Sequence, residues 1–144
     1  MRRGGASIRR CFGDTSAFFA LANTNDASHV YVRSLFQSLA ARQVQLYSTN
    51  FILAETHALL LNRLNRDLAR LFVREVERTT SIIRITPADE ARAWEIIEQY
   101  RDKDFSLTDA TSFAVMERMQ IQYAFSLDRD FVQYGLLLLT PDVL

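Results

Sequence analysis

The fold is decided near the start of the chain by residues 8–22, which read IRRCFGDTSAFFALA. Ile8 to Gly13 are predicted to form a short strand, although two arginines and a glycine weaken its β propensity. An apolar helical segment begins at Ala17, only a few residues later. A strand that runs directly into a helix indicates a β-to-α turn at Asp14.

The same alternation continues to the C-terminus. Apolar periodicity, capping residues and Pro87 predict helices at 28–42, 50–64, 67–78, 87–100 and 106–119. The further predicted strands are 44–48, 82–85, 123–126 and 136–139. Strands alternating with helices indicate an α/β fold, a three-layer sandwich around a parallel sheet of about five strands. We expect a single domain over residues 1–144, with residues 1–7 as a disordered extension.

Composition narrows the class of protein further. Lys plus Arg equals Asp plus Glu at 17 each, so net charge neither supports nor excludes a nucleic-acid partner. Cys11 is the only cysteine, which excludes an intrachain disulfide and a cysteine-based zinc cluster. No apolar run long enough for a secretory signal precedes Asp14, so we expect no secretion, and no segment is long enough to span a membrane. We therefore expect a cytoplasmic protein without membrane contact.

Four carboxylates fall at corresponding positions of this predicted sheet. Asp14 follows the first strand, Asp128 follows the fourth, and Glu55 lies in the helix after the second. Asp109 begins a helix that must run antiparallel to the strands, so that it starts at their carboxyl ends. Ligands of parallel sheets bind at that edge, and the four acids are therefore expected to converge there.

Glu55 is the hardest of the four to explain as a structural residue. Phe51, Ile52, Ala58 and Leu59 lie three or four positions away and share its helix face. We therefore expect its carboxylate to be desolvated unless a cation or a buried arginine meets it.

The other three acids also have ordinary structural interpretations. Asp14 fits a helix N-cap, and Asp109 fits the third position of a capping box on Ser106. Asp128 and Asp130 fit turn residues beside a helix start. Taken singly, each of these three interpretations is favoured over a functional one.

Converging carboxylates would repel one another unless a cation neutralised them. Ligands that are all oxygen suit Mg²⁺ or Mn²⁺. Asp104 and Asp130 lie next to two of the acids and could add ligands or orient water. Thr15 and Ser16 follow Asp14 closely, and they could either hold its carboxylate by hydrogen bonds or only cap the helix.

Four short motifs carry a resemblance to a known family. They are Phe12-Gly13-Asp14-Thr15-Ser16-Ala17-Phe18, Phe51-Ile52-Leu53-Ala54-Glu55, Ser106-Leu107-Thr108-Asp109-Ala110 and Phe125-Ser126-Leu127-Asp128-Arg129-Asp130-Phe131. In this order they resemble the acidic motifs of the PIN-domain family, which includes VapC-type toxins. The chain departs from the family pattern at Gly13, Ser126 and Asp130, where branched apolar, Thr, and His or basic residues are usual.

The resemblance implies a Mg²⁺- or Mn²⁺-dependent endoribonuclease that cuts single-stranded or loop RNA. It implies that Asp14, Glu55, Asp109 and Asp128 are the catalytic, metal-binding acids. It also implies a homodimer, and a cognate antitoxin protein as partner.

Two rival functions remain open at this point. An aspartyl-phosphate phosphatase also places an acid after a strand, but that chemistry expects a second Asp where this chain has Ser16. A PIN-like scaffold that binds protein without cutting RNA is the non-enzymatic alternative, against which the intact set of four acids argues.

Overall fold

Five short strands and seven α-helices alternate along the computed structural model, which describes residues 8–144. The strands are β1 (Arg10–Gly13), β2 (Gln45–Thr49), β3 (Ser81–Ile83), β4 (Tyr123–Phe125) and β5 (Leu137–Leu138). The helices are α1 (Thr15–Ala22), α2 (His29–Ala41), α3 (Asn50–Arg63), α4 (Arg66–Thr79), α5 (Pro87–Gln99), α6 (Leu107–Met119) and α7 (Asp130–Tyr134). A 3₁₀ turn, Pro141–Val143, follows β5.

The strands form one parallel sheet in the order β3-β2-β1-β4-β5. The predicted α/β fold class is therefore confirmed. β1 lies at the centre and pairs with β2 through Cys11 and Leu46, and with β4 through Phe12 and Ala124. The carboxyl ends of β1 and β4 consequently lie side by side. The predicted extension, residues 1–7, lies outside the described residues.

Helix α6 carries the densest part of the core. Every residue from Ala110 to Met116 is buried, as expected for a helix covered on all sides. Its Phe113 ring meets Phe131 edge to face and stacks on Tyr134, which ties α6 to α7. Asp109, one turn before Phe113, is therefore held on a rigid element.

Arg10, which weakens the β propensity of the first strand, has a structural task. Its guanidinium donates to the carbonyl of Met119 at 2.8 Å, at the C-terminus of α6. A cation at that position satisfies an unpaired helix carbonyl and interacts favourably with the helix dipole. Arg10 thus lowers the β propensity of β1 but stabilises the C-terminus of α6, the helix that carries Asp109.

Gly13 allows β1 and α1 to pack closely where the family resemblance leads one to expect a branched residue. A Cβ at this position would lie 2.5 Å from Cζ of Phe18, whose buried ring fills that space. The bulky side chain is thus supplied by α1 instead of the strand.

All five predicted strands differ from the observed strands by one or two residues at their ends. Residues 82–85 and 136–139 were expected, but the edge strands β3 and β5 are shorter because each has only one neighbour to pair with. Helix α7 was anticipated only as a helix start beside Asp130, since five residues are too few for periodicity to reveal. Within residues 8–144, no helix is both long and apolar enough to cross a membrane.

Candidate active site

At the carboxyl edge of β1 and β4, Asp109 and Asp128 group closely with Asp130, while Asp14 and Glu55 lie outside that group and interact with it through their charges. Asp14 directly follows β1, and its backbone N–H donates to the carbonyl of Phe125 at 3.1 Å, locking it beside the end of β4. Asp128 lies just beyond β4, Asp109 in the first turn of α6, and Glu55 in the second turn of α3.

Asp14 is buried and its carboxylate is firmly oriented. Its Oδ2 accepts the hydroxyls of Ser16 at 2.8 Å and Ser126 at 2.9 Å, and the backbone N–H of Ser16 at 3.3 Å. No donor from residues 8–144 reaches its Oδ1. Asp14 is therefore the N-cap of α1 and yet keeps one oxygen for a ligand.

Three further carboxylates crowd together beside it. One oxygen from each of Asp109, Asp128 and Asp130 lies within 4.8 Å of the other two, and all three residues are half-buried. Asp109 forms the capping box with Ser106, and Oδ1 of Asp128 accepts the backbone N–H of Asp130 at 2.9 Å. The capping and turn interpretations are therefore correct, but the cap and the turn occupy only one oxygen of each carboxylate.

Crowding and burial make ionisation of this cluster unfavourable. Burial, followed by the charges of Asp128 and Asp14, raises the pKa of Asp109 to about 7. Burial also raises the pKa of Asp14, against the hydrogen bonds from Ser16 and Ser126, and the charge of Glu55 adds to the increase. Burial and the charge of Asp128 raise the pKa of Asp130. These mutual effects place Glu55 in the same electrostatic cluster.

The expected desolvation of Glu55 is wrong, because the residue is exposed. The buried line of α3 runs through Ile52, Thr56 and Leu60, which are spaced by four. Glu55 precedes Thr56 by one residue, about 100° around the helix, and so lies at the flank of that line. Neither a buried arginine nor a cation is needed to explain its position.

The hydrogen bond from Thr15 to Asp14, one of the two alternatives for this residue, is not formed. Ser16 does hold the Asp14 carboxylate, but the Thr15 hydroxyl turns to α3 and donates to Oε1 of Glu55 at 2.6 Å. Asp104 is exposed and only its charge reaches Asp130, while Asp130 belongs to the carboxylate cluster.

The four predicted acids share one feature. Each accepts hydrogen bonds through a single carboxylate oxygen, and the other oxygen receives no donor from the part of the chain that the structure describes. Asp104 and Asp130 have neither oxygen held in this way by a donor of the described residues. Acids held by one oxygen and open at the other are pre-oriented ligands for a cation.

The absence of a cationic side chain distinguishes this cluster from another buried acid of the protein. Asp89 receives two hydrogen bonds of 2.9 Å from the Arg118 guanidinium. Among residues 8–144, no Lys, Arg or His nitrogen lies within 4.0 Å of the acids at the sheet edge. The oxygen donors and the uncompensated charge fit a hard divalent cation.

Comparison with known proteins decides the family. The family model described as "PIN domain" matches residues 11–137. The chain belongs to the PIN-domain family. The resemblance carried by the four acidic motifs is therefore confirmed.

This PIN domain is similar to the 23S rRNA-specific endonuclease VapC20 of two Mycobacterium tuberculosis strains. The identity is 34% over 134 residues, covering 91% of this chain and 98% of the relative. The crystal structure of M. tuberculosis VapC20, described as a sarcin–ricin loop cleaving toxin, superposes with a TM-score of 0.79 and 32% identity, over 88% of this chain and 95% of that one.

More distant structures share the fold of this PIN domain. VapBC2 from Rickettsia felis, bound to a promoter DNA fragment, gives a TM-score of 0.68 at 12% identity and covers 91% of this chain and 98% of its own. FitAcB from Neisseria gonorrhoeae gives 0.66 at 14% identity, over 93% and 99%. At such identities the likeness concerns the fold alone.

Two hydroxyl residues of the PIN-domain site were not among the predicted site residues. Ser126 holds Asp14, and its position at the end of the fourth strand could have revealed it. Thr56 donates to the Thr15 hydroxyl at 3.2 Å. The only sequence signal for Thr56 is its position next to Glu55. That signal is weak, because the hydroxyl of a threonine inside an apolar helix usually bonds to the backbone of its own helix.

Proposed function

We propose that this PIN domain is a Mg²⁺- or Mn²⁺-dependent endoribonuclease. The proposal rests on the carboxylates at the sheet edge: Asp109 and Asp128 group with Asp130, each of the four predicted acids has one oxygen held and the other open, and no cationic side chain of residues 8–144 compensates them. The similarity to VapC20 over nearly the whole chain supports the same class of reaction.

Asp14, Asp109 and Asp128 would hold the cation, with Glu55 as a further ligand or as the base that orients the attacking water. When bound, a divalent cation would polarise the phosphodiester and stabilise the charge that develops at the leaving oxygen. Ser16 and Ser126 keep the Asp14 carboxylate in one orientation, so that little reorganisation is required on binding. Asp130 lies close enough to add a ligand.

Arg129 is well placed to contact the RNA backbone. It is exposed and lies between Asp128 and Asp130, yet it forms no ion pair with either residue. Lys103 instead pairs with Asp102 at 3.0 Å. A guanidinium beside the acids can contact a phosphate next to the one that is cut.

Ribosomal RNA of the large subunit is the substrate we propose, because VapC20 is named for cleaving it. The description of VapC20 as a toxin supports a toxin role and a cognate antitoxin for this chain, with action in the cytoplasm. We also propose a homodimer, as the family resemblance implies. Expression should arrest growth, co-expression of a cognate antitoxin should relieve the arrest, and sedimentation should give twice the chain mass.

Incubation of the purified protein with intact large ribosomal subunits and with a labelled sarcin–ricin hairpin tests the activity. We expect one mapped cut in Mn²⁺ or Mg²⁺, and none when EDTA is present. A cut that persists in EDTA would contradict the dependence on metal.

The same preparation separates the rival functions. Absence of cleavage in every RNA with either metal would favour the non-enzymatic scaffold. Release of inorganic phosphate from a phosphate monoester, with the RNA chain intact, would favour the phosphatase. An unchanged hairpin beside a cut subunit would retain the nuclease and show that ribosomal context is required.

A further inference from the structure

Two buried threonines connect α1 to the exposed Glu55. Thr15 is 6% exposed and Thr56 is 1% exposed, and both lie where α1 packs on α3. The Thr56 hydroxyl bonds to the Thr15 hydroxyl at 3.2 Å, and the Thr15 hydroxyl bonds to Oε1 of Glu55 at 2.6 Å. We call these three side chains the hydroxyl relay.

The chemistry of the acceptor fixes the direction of the relay. An ionised carboxylate only accepts hydrogen bonds, so Thr15 must donate its single hydroxyl proton to Glu55. The Thr15 oxygen can then only accept from Thr56. Because both hydrogen bonds point the same way, the first polarises the second and strengthens it.

Glu55 needs such a contact more than the other acids do. Asp14, Asp109 and Asp128 are short, and caps or turns hold them, whereas Glu55 is a long, exposed side chain with considerable rotamer freedom. No other donor from residues 8–144 reaches its carboxylate. The relay fixes Oε1 on the protein side and leaves Oε2 without a partner among those residues.

We propose that Thr15, supported by Thr56, is a positioning residue that holds Glu55 ready to contribute to the divalent-cation site. This inference rests on the proposed function, because it assumes that the acids at the sheet edge take up a cation. It assigns to Thr15 a task on Glu55 instead of on its neighbour Asp14.

Titration of Mn²⁺ into the metal-free full-length protein, without RNA, tests the relay by isothermal calorimetry. Thr15→Val keeps the shape but removes the hydroxyl, and we expect a roughly tenfold weaker Mn²⁺ affinity, the lower end of losses on removing a ligand-orienting partner. Thr56→Val should weaken it by about threefold, since Thr15 can still donate. Thr15→Ser restores the donor and should stay within about twofold of wild type.

Thr111→Val is the matched control. Thr111 is also a buried threonine, but its hydroxyl donates to the backbone carbonyl of Thr108 at 2.7 Å and forms no hydrogen bond to an acid of the described residues. Its replacement should leave the Mn²⁺ affinity within about twofold of wild type. An equal loss in this control would attribute the effect of Thr15→Val to general loosening and overturn the proposal.

A double-mutant cycle with Glu55→Gln separates positioning from structural support. If Thr15 acts through the Glu55 carboxylate, Thr15→Val should weaken Mn²⁺ binding far less in the Glu55→Gln background than in wild type. Equal effects in both backgrounds would overturn the relay. If Thr15→Val does not fold, Thr56→Val carries the test, and an unchanged affinity there would overturn the relay as well.

Failure of the relay and failure of the nuclease can be told apart. If the wild type cuts RNA but Thr15→Val binds Mn²⁺ as tightly as the wild type does, only the proposal for the relay is contradicted. If Thr15→Val weakens Mn²⁺ binding as expected but the wild type cuts no RNA, only the proposed nuclease activity is contradicted.

Discussion

Replacing Asp109 with Asn should stabilise the metal-free protein although it removes a site residue. The carboxylates of Asp109, Asp128 and Asp130 lie within 4.8 Å of one another, and no cationic side chain of residues 8–144 compensates them. Asn keeps the volume, and its side-chain oxygen can still accept the N–H of Ser106 in the capping box. The substitution therefore removes the cost of burying a charge together with the repulsion from Asp128 and Asp14.

The magnitude follows from the charges in two ways. A pair of unit charges at this separation repels by about 3 kcal/mol at an effective dielectric constant of about 20. The pKa of Asp109, raised by burial and by Asp128 from 3.8 to about 7, corresponds to about 4 kcal/mol at high pH. Because the residue is half-buried and solvent screens part of this, we expect about 2 kcal/mol, or roughly 6 °C in the melting temperature.

Thermal unfolding in EDTA measures the effect, and its pH dependence supplies the sign. At a pH below its pKa in the unfolded chain, an acid is protonated in both states and costs no stability. Because folding raises the pKa of Asp109, the wild type loses stability as the pH rises from about 4 through about 7. The advantage of Asp109→Asn should accordingly vanish near pH ~4 and reach its maximum near pH ~8. Added Mn²⁺ should reverse the order, because wild type retains the ligand.

Asp67→Asn serves as the control for this experiment. Asp67 is also a first-turn acid, on α4, but its side chain is 75% exposed and lies near Arg66 and Arg70. Its substitution should change the melting temperature by less than about 2 °C, with or without metal. If Asp109→Asn is less stable than wild type in EDTA at about pH 8, or if its gain in melting temperature does not depend on pH, the charge of Asp109 does not destabilise the metal-free protein.

Three further predictions concern other parts of the molecule. Arg118→Ala should lower the free energy of unfolding in urea by about 2 kcal/mol, and this loss should disappear below about pH 4. Burial opposes ionisation of Asp89, but hydrogen bonds from Arg118 and Thr86 outweigh burial and lower the pKa of Asp89, so the wild type itself loses this contribution in acid. Gly13→Ala should cost about 1 to 3 kcal/mol, because the new Cβ meets the Phe18 ring; an unchanged urea midpoint would contradict this. Arg129→Gln should raise KM for RNA and reduce the salt slope of log kcat/KM by about 0.7, whereas an unchanged slope would exclude a phosphate contact.

The fold could be predicted because local patterns and topology agree. The turn at Asp14 joins a buried strand to a capped helix, and the alternation that follows permits little besides a parallel sheet. The errors in the sheet amount to one or two residues at the strand ends, which depend on how far each strand pairs with its neighbours. The five-residue helix α7 depends on Phe131 and Tyr134 packing against α6, which is a tertiary contact that periodicity cannot reveal.

Convergence of the acids could also be predicted, since parallel strands deliver the residues after them to one edge. The exposure of Glu55 could not be predicted from its neighbours three and four residues away. The sequence does not determine which face of α3 packs against the rest of the protein. The buried face runs through Ile52, Thr56 and Leu60, and Glu55 lies one residue away from it. The partner of Thr15 depends on the approach of α1 to α3, and so it also lay beyond local inference.

We propose that the acids at the sheet edge form the cation site with which this PIN domain cuts RNA. The most direct test is the single-turnover rate at which wild type and Asp14→Asn cleave one labelled RNA at saturating Mn²⁺. Asn keeps the acceptor for Ser16 and Ser126 but loses the negative charge. We predict a rate at least about a hundredfold lower, as for the loss of one electrostatic contact at a reacting centre. A rate within a few-fold of wild type would contradict the claim.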